Sequence, residues 1–300
     1  MSLPDRKIYV QKPQELRKLS AKAATALALL PEDEFVYQHK HDGCSMMILV
    51  GINVVRIFSR EGNEVKSMPH IAEAIRKLSQ DRPNMVYFGE AYHPDMLFHD
   101  INGAFRRQSP QDFLQAWLFD CVTLQEFREG TSKRPYSQRV KALRGVLSGD
   151  PAARIMPVAT YGNLVDAAAA VEPWRAAGLY ELDGFMKKQL SAGWDAGVDN
   201  EGRSLKLKDS ISVDLRCVGT VEGKGKFAGM VGALVVEWRG EHVVVSGGKL
   251  KTKERQALWD DPSGIVNHIV EVHALSITPD GQLREPRYQR TRDDKTEPSD

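Results

Sequence analysis

Cysteine is scarce: Cys44, Cys121 and Cys217 are the only three in 300 residues, far apart and without a CxxC pair. That excludes a disulfide framework and gives no sign of a structural zinc ribbon. Long apolar runs are missing too. Ala23–Leu30 and Met46–Val50 are far too short to span a bilayer, so no membrane association is expected. Met1–Arg6 lacks the charged-then-apolar pattern of a signal peptide, so export is not expected. Nor is there an excess of charge of one sign. Lys+Arg number 41 against 40 Asp+Glu, and net charge alone points to no anionic partner. The distribution is less even. Lys249–Arg255 and Arg284–Lys295 are basic and Pro31–Glu34 is acidic, and local basic runs can bind phosphates even in a nearly neutral chain.

What is present reads as a soluble chain of one large domain or two ordinary ones, with 42% hydrophobic and 27% charged residues and no internal repeat. Apolar spacing predicts helices at Glu15–Leu30, Ile71–Leu78, Tyr136–Leu147 and Leu164–Ala177. Strands are expected at Phe35–Tyr37, Met46–Phe58, Met85–Phe88, Trp117–Phe119 and Ile155–Thr160. The mixture without regular βαβ spacing predicts an α+β fold with largely antiparallel sheets. After about Asp209 the chain turns strand-rich. Val213–Val221, Val231–Trp238, Val243–Val245 and Val266–Ile277, with one helix at Lys253–Trp259, fit a small closed barrel. Trp238–Glu241 is the expected hairpin turn between two of these strands.

Chemistry concentrates in short motifs. Lys40-His41-Asp42-Gly43 places a lysine, a carboxylate and a glycine on a turn after a strand. A nucleophilic lysine needs a site that removes its proton, and Gly43 would allow an unusual backbone angle and close approach of a ligand. Alone, the tetrapeptide is more often an ordinary surface turn. Further motifs follow in order: Ser59-Arg60-Glu61-Gly62, Gly89-Glu90, Phe119-Asp120, Asp183-Gly184-Phe185-Met186-Lys187-Lys188 and Lys206-Leu207-Lys208. Each also has a structural reading, with Glu90 as an ion-pair partner, Phe119 as core, and Lys206 and Lys208 as a solvated face. His39, His41, His70 and His93 are not spaced as zinc ligands.

Taken in order, these motifs resemble those of the covalent nucleotidyltransferases, the superfamily of DNA ligases, RNA ligases and capping enzymes. Gly223–Leu234 resembles the OB-domain segment of compact phage and bacterial ATP-dependent DNA ligases, and Arg284–Lys295 resembles their C-terminal Arg-x-Asp-Lys ending. The resemblance runs from about residue 38 to residue 295. It implies a nucleotidyltransferase domain of ATP-grasp-like antiparallel sheets with helices over residues 1–209, then a β-barrel OB-fold domain over 210–300.

It also implies that Lys40 attacks the α-phosphorus of ATP and carries AMP to the 5′-phosphate of nicked duplex DNA, where the 3′-hydroxyl displaces it. By motif position, Gln38 either reads the adenine edge or is a plain strand residue, Arg60 contacts ribose or the 5′-phosphate, and Phe119 stacks on adenine. Glu90 takes the ribose and a metal, and Asp183 takes the second acidic position at the metal. Lys188 joins the nucleotide site, Lys206 and Lys208 hold the α-phosphate, and Arg292 and Lys295 orient the pyrophosphate. Mg²⁺ is the expected ion, with Mn²⁺ as a substitute. Lys224, Lys226, Lys249, Lys251 and Lys253 are the expected DNA contacts of the barrel. A monomer in the cytoplasm of a bacterium or phage-infected host is expected.

Two departures stand out. Ser45 occupies the place where the superfamily often has arginine, so Arg56 or Arg60 must supply the missing charge. The fourth motif begins Asp183-Gly184 rather than Glu-Gly, and Glu181 is a rival for its role. The resemblance leaves RNA ligases and capping enzymes as alternatives, although many RNA ligases lack the Arg284–Lys295 ending. A non-catalytic OB-fold binder is opposed by the joint presence of Lys40, Glu90, Lys206 and Lys208. An NAD-dependent ligase is opposed by the missing NMN-reading domain and zinc cysteines.

Overall fold

The computed structural model describes residues 2–80, 82–147, 154–171, 182–207, 211–274, 276–277 and 281–299. The chain divides into two units, Met1–Leu207 and Lys208–Asp300. Among the described residues, no helix is long and apolar enough to cross a membrane.

Among the described residues, the first unit has two large sheets besides two short two-stranded pairs. One has five strands in the order Val55–Ser59, Cys44–Val50, Met85–Tyr92, Gln115–Thr123 and Ile155–Pro157, antiparallel except for the last pair. Its central strands are apolar on consecutive positions because both faces are covered. Met46, Ile48 and Tyr87 pack with Ile71, Ile75, Ile101 and Leu143 from three helices, while Met47, Leu49 and Phe88 pack with Phe127 and Trp194. The second sheet orders Ser204–Leu207, Leu182–Gln189, Phe35–His41 and Thr160–Tyr161. Strand Phe35–His41 lies in one sheet and Cys44–Val50 in the other. Asp42-Gly43 is therefore the crossing between sheets.

The expected single helix over Glu15–Leu30 is two pieces, a 3₁₀ turn at Leu16–Lys18 and a helix at Ala21–Ala28. Ser20 divides them, because its hydroxyl accepts from the Ala23 amide and starts a new helix. The expected long strand Met46–Phe58 is a hairpin of two strands turning at Gly51–Val54. A helix runs over Leu164–Ala169; the rest of the expected Leu164–Ala177 helix, from 172 on, lies outside the described residues.

The second unit is a closed barrel in the order Ile211–Glu222, Val231–Trp238, Glu241–Ser246, Arg287–Thr291 and Ile269–Ala274. Alternate residues Val213, Leu215 and Cys217 fill its interior with Leu234, Val236, Val270 and Val272. The turn at Arg239-Gly240 has φ of 52° and 81°, the two-residue geometry that fits twisted strands. One helix, Thr252–Asp260, follows the third strand's loop. Its Arg255 is buried and donates to the carbonyls of Leu250, Val231 and Gly232.

Candidate active site

A crevice of about 360 Å³ opens in the first unit, lined from both sheets. Gln38, Lys40, Arg60, Glu90, Phe119, Lys188 and Lys206 all face it, although the sequence separates them by up to 168 positions. That volume suits a nucleotide-sized ligand.

Lys40 stands next to the end of its strand because the pairing with Leu182–Gln189 is irregular there. His41 pairs with Leu182 and His39 with Phe185, so Asp183 and Gly184 together oppose the single residue Lys40. This is a β-bulge, and Gly184 at φ 96° supplies the conformation that other residues avoid. The bulge brings the Asp183 carboxylate to 2.5 Å from Lys40 Nζ. Gly43 is needed for a different reason from the one expected. Its backbone is not in the left-handed region; instead, an added Cβ would lie 2.3 Å from the Ala91 carbonyl oxygen and 2.9 Å from Glu90 Cγ. Gly43 therefore lets the nucleophile turn lie directly on the strand that carries Glu90.

Glu90 pairs in register with Ser45 and with Trp117. Burial pushes its carboxyl up to about 7; Asp42 and Asp183 push the same way, and Lys40 and Arg60 oppose them. The side chain is half-buried and lines the crevice. Neighbouring His41 is buried against Tyr92 and Trp117, and burial lowers it to about 3, so it stays neutral.

Phe119 is aimed by a second irregularity. Phe88 pairs with Asp120 and Gly89 with Leu118, which leaves Phe119 as the extra residue. Behind it, Asp120 and Arg139 form a bidentate pair at 2.8 and 3.0 Å, with side chains 3% and 2% exposed. Lys188 Nζ lies 4.9 Å from the Phe119 ring centre and 5.0 Å from that of Tyr136. Burial lowers the Lys188 ammonium; Asp120 and Asp199 oppose this, and Arg139 adds to it. Strand alternation turns Lys187 the other way, onto Phe35 and Glu32.

Of the two arginines offered for the charge missing at Ser45, only Arg60 lines the crevice. Arg56 is held by Glu64 through two bonds of 2.9 Å and lies over Phe58. Lys208 and Glu181 lie outside the described residues. In the barrel, Arg292 and Lys295 converge on Asp214, at 2.9 and 2.6 Å. Lys224, Lys226, Lys249, Lys251 and Lys253 are exposed and make no ion pair among the described residues.

The crevice has the parts for transfer to lysine: an amine beside a carboxylate, a second carboxyl, an aromatic wall and several cations. Residues 15–208 match the model of the ATP-dependent DNA ligase domain. The chain belongs to the ATP-dependent DNA ligase domain family. Residues 222–292 match a second model, the DNA ligase OB-like domain. A DNA ligase of Methanoculleus marisnigri is 26% identical over 327 residues, covering 96% of this chain and 57% of the relative. The chain thus spans a little over half the length of that curated relative. Among solved structures, Pmar-Lig_Pre aligns with a TM-score of 0.72 at 21% identity, covering 96% of this chain and 68% of that one. A Lig E DNA ligase gives 0.66 at 18%, covering 94% and 98%. The bacteriophage T7 ATP-dependent DNA ligase in complex with ATP gives 0.52 at 15%, covering 95% and 98%. These likenesses show the fold: nucleotidyltransferase domain and OB-fold domain in one chain.

Sequence reasoning missed part of the crevice wall. Val10, Gln11, Lys12 and Pro13 line it from the N-terminal segment, as do Val158, Met186 and Trp194. Gln11 and Lys12 are placed by pairing with Gly197 and Val198, a partnership no local pattern signals. Met186 was detectable, since strand alternation puts it on the same face as Lys188.

Proposed function

We propose that the chain is an ATP-dependent DNA ligase that seals nicks in duplex DNA through a lysyl-AMP intermediate. The observation that carries this reading is the Lys40–Asp183 pair, set by a bulge at the wall of a crevice that also presents Glu90 and Phe119. Lys40 Nζ, once deprotonated, attacks the α-phosphorus of ATP. A nitrogen–phosphorus bond forms as the bond to pyrophosphate breaks. The AMP then passes to the 5′-phosphate at the nick, which frees Lys40. The 3′-hydroxyl attacks that phosphate, forms the phosphodiester and releases AMP.

Phosphoryl transfer of this kind rests on positioning and charge neutralisation. Phe119 stacks on adenine, Gln38 reads its edge, and Lys188 and Lys206 neutralise phosphate. Arg60 serves the ribose or the 5′-phosphate, and Arg292 and Lys295 serve the pyrophosphate. The five exposed barrel lysines bind the DNA backbone.

Among the described residues no group of three or more His, Cys, Asp or Glu forms a metal cage. Two carboxyls, Glu90 and Asp183, do share one neighbourhood, where each raises the cost of the other's charge. That fits Mg²⁺, which commonly takes one or two carboxylates and completes its shell with water and substrate phosphates. Glu90 and Asp183 would hold the ion, which would supply charge neutralisation on the phosphates. The chain is expected to act as a monomer in the cytoplasm.

The test is sealing of a nicked duplex carrying DNA or RNA on the 3′ side. Efficient sealing of the all-DNA nick is expected. Sealing only with an RNA 3′ strand would replace this reading with RNA ligation.

A further inference from the structure

The side chain of Gln38 is 1% exposed, yet it lines the crevice. Its Nε2 donates to Thr160 Oγ1 at 3.2 Å. Thr160 Oγ1 in turn donates to the Val158 carbonyl at 3.3 Å, so its own proton is engaged and its lone pair receives the amide. The Gln38 side chain also lies beside Tyr136, where it favours the ionised phenol against the burial that raises it. The Tyr136 proton goes to the Phe119 carbonyl at 2.9 Å. The amide nitrogen donates to Thr160, and both neighbouring hydroxyls have their protons bound to backbone carbonyls, which leaves them able only to accept from it. An amide has two donors and one acceptor oxygen, and its orientation follows from this network.

We propose that Thr160 and Tyr136 are positioning residues that set base selection, holding the Gln38 amide so that its carbonyl oxygen alone meets the nucleobase. Neither hydroxyl residue lines the crevice; both act through Gln38. The inference rests on the nucleotidyltransferase reading above. A base that meets Oε1 must donate a hydrogen bond. The exocyclic amine of adenine donates, whereas O6 of hypoxanthine or guanine only accepts and would face the amide oxygen with like partial charge. Without the two hydroxyls, the amide can turn over and offer Nε2 to O6. Selection then depends on residues 122 and 98 positions away from the one that reads the base.

The experiment compares kcat/KM for labelling of Lys40 by ATP and by ITP, using the full chain and one preparation for both nucleotides. An inactive fraction then cancels from the ratio. The wild type is expected to prefer ATP by roughly tenfold to a hundredfold, the span of one or two hydrogen bonds of discrimination. Thr160→Val with Tyr136→Phe should lower that ratio about tenfold, chiefly by improving ITP. Thr160→Ser keeps the hydroxyl and should keep the ratio. Each single variant is read as well, so a double variant that fails to fold still leaves the ratio measurable. An unchanged ratio in Thr160→Val and Tyr136→Phe, or a wild type indifferent to the base, overturns the inference. Labelling of Lys40 by neither nucleotide overturns the nucleotidyltransferase reading itself.

Discussion

Glu90 should cost the protein stability at the pH where it is needed. Its carboxyl is pushed up to about 7 by burial, against 4.5 for an ordinary glutamate, with Asp42 and Asp183 adding to the shift. A raised carboxyl binds a proton more tightly in the folded state than in the unfolded one. Its contribution to stability is therefore complete below about pH 4.5 and is lost as pH rises through 7. At 1.36 kcal/mol per pH unit, the loss between pH 5 and pH 8 is roughly 2–3 kcal/mol. Glu90→Gln keeps the shape and removes the titration. The variant should therefore gain on the wild type by that amount between pH 5 and pH 8, on the order of 5–10 °C in the melting of the first unit. Melting of the full chain, followed without nucleotide or divalent ion across this range, measures it. The same variant should lose nearly all labelling of Lys40, because an amide cannot supply the charge. A wild-type–variant difference that stays flat from pH 5 to pH 8, or that moves against the variant, would refute the reasoning.

Three other substitutions test separate parts of the site. Asp120→Asn leaves the buried Arg139 guanidinium without its carboxylate and should cost about 3–5 kcal/mol, read by urea unfolding. Gly43→Ala puts a methyl 2.3 Å from the Ala91 carbonyl oxygen, so the nucleophile turn must shift. Labelling of Lys40 should fall at least a hundredfold while the melting of the barrel is unchanged. Replacing Lys224, Lys226, Lys249, Lys251 and Lys253 by Gln should weaken binding to nicked DNA. It should also reduce the slope of log affinity against log salt by up to about 4, with Lys40 labelling preserved. Equal loss of labelling and DNA binding would show that the barrel lysines act elsewhere.

The barrel was legible from alternation, since Val213, Leu215 and Cys217 point inward and the Arg239-Gly240 turn carries its own local signal. The order of motifs was enough to name seven of the crevice residues, Gln38, Lys40, Arg60, Glu90, Phe119, Lys188 and Lys206, but not the N-terminal wall. What sequence could not convey is register. The bulges that set Asp183 against Lys40 and free Phe119 from its ladder each depend on a partner strand far along the chain. Ser20 breaks the expected Glu15–Leu30 helix because capping the second piece outweighs the continuous apolar spacing. Arg56 and Arg60 looked alike on paper; Glu64 holds one away, and only the folded hairpin shows which. The hydroxyls behind Gln38 had no sequence signal at all.

The central claim is that Lys40 carries the nucleotide. Incubation of the intact chain with ATP and Mg²⁺, followed by intact mass and peptide mapping, tests it directly. The account predicts one added AMP per chain, mapped to Lys40, and none in Lys40→Ala or in Lys40→Arg, whose guanidinium stays protonated and cannot attack. An AMP adduct that persists in Lys40→Ala, or that maps to another residue, would contradict it.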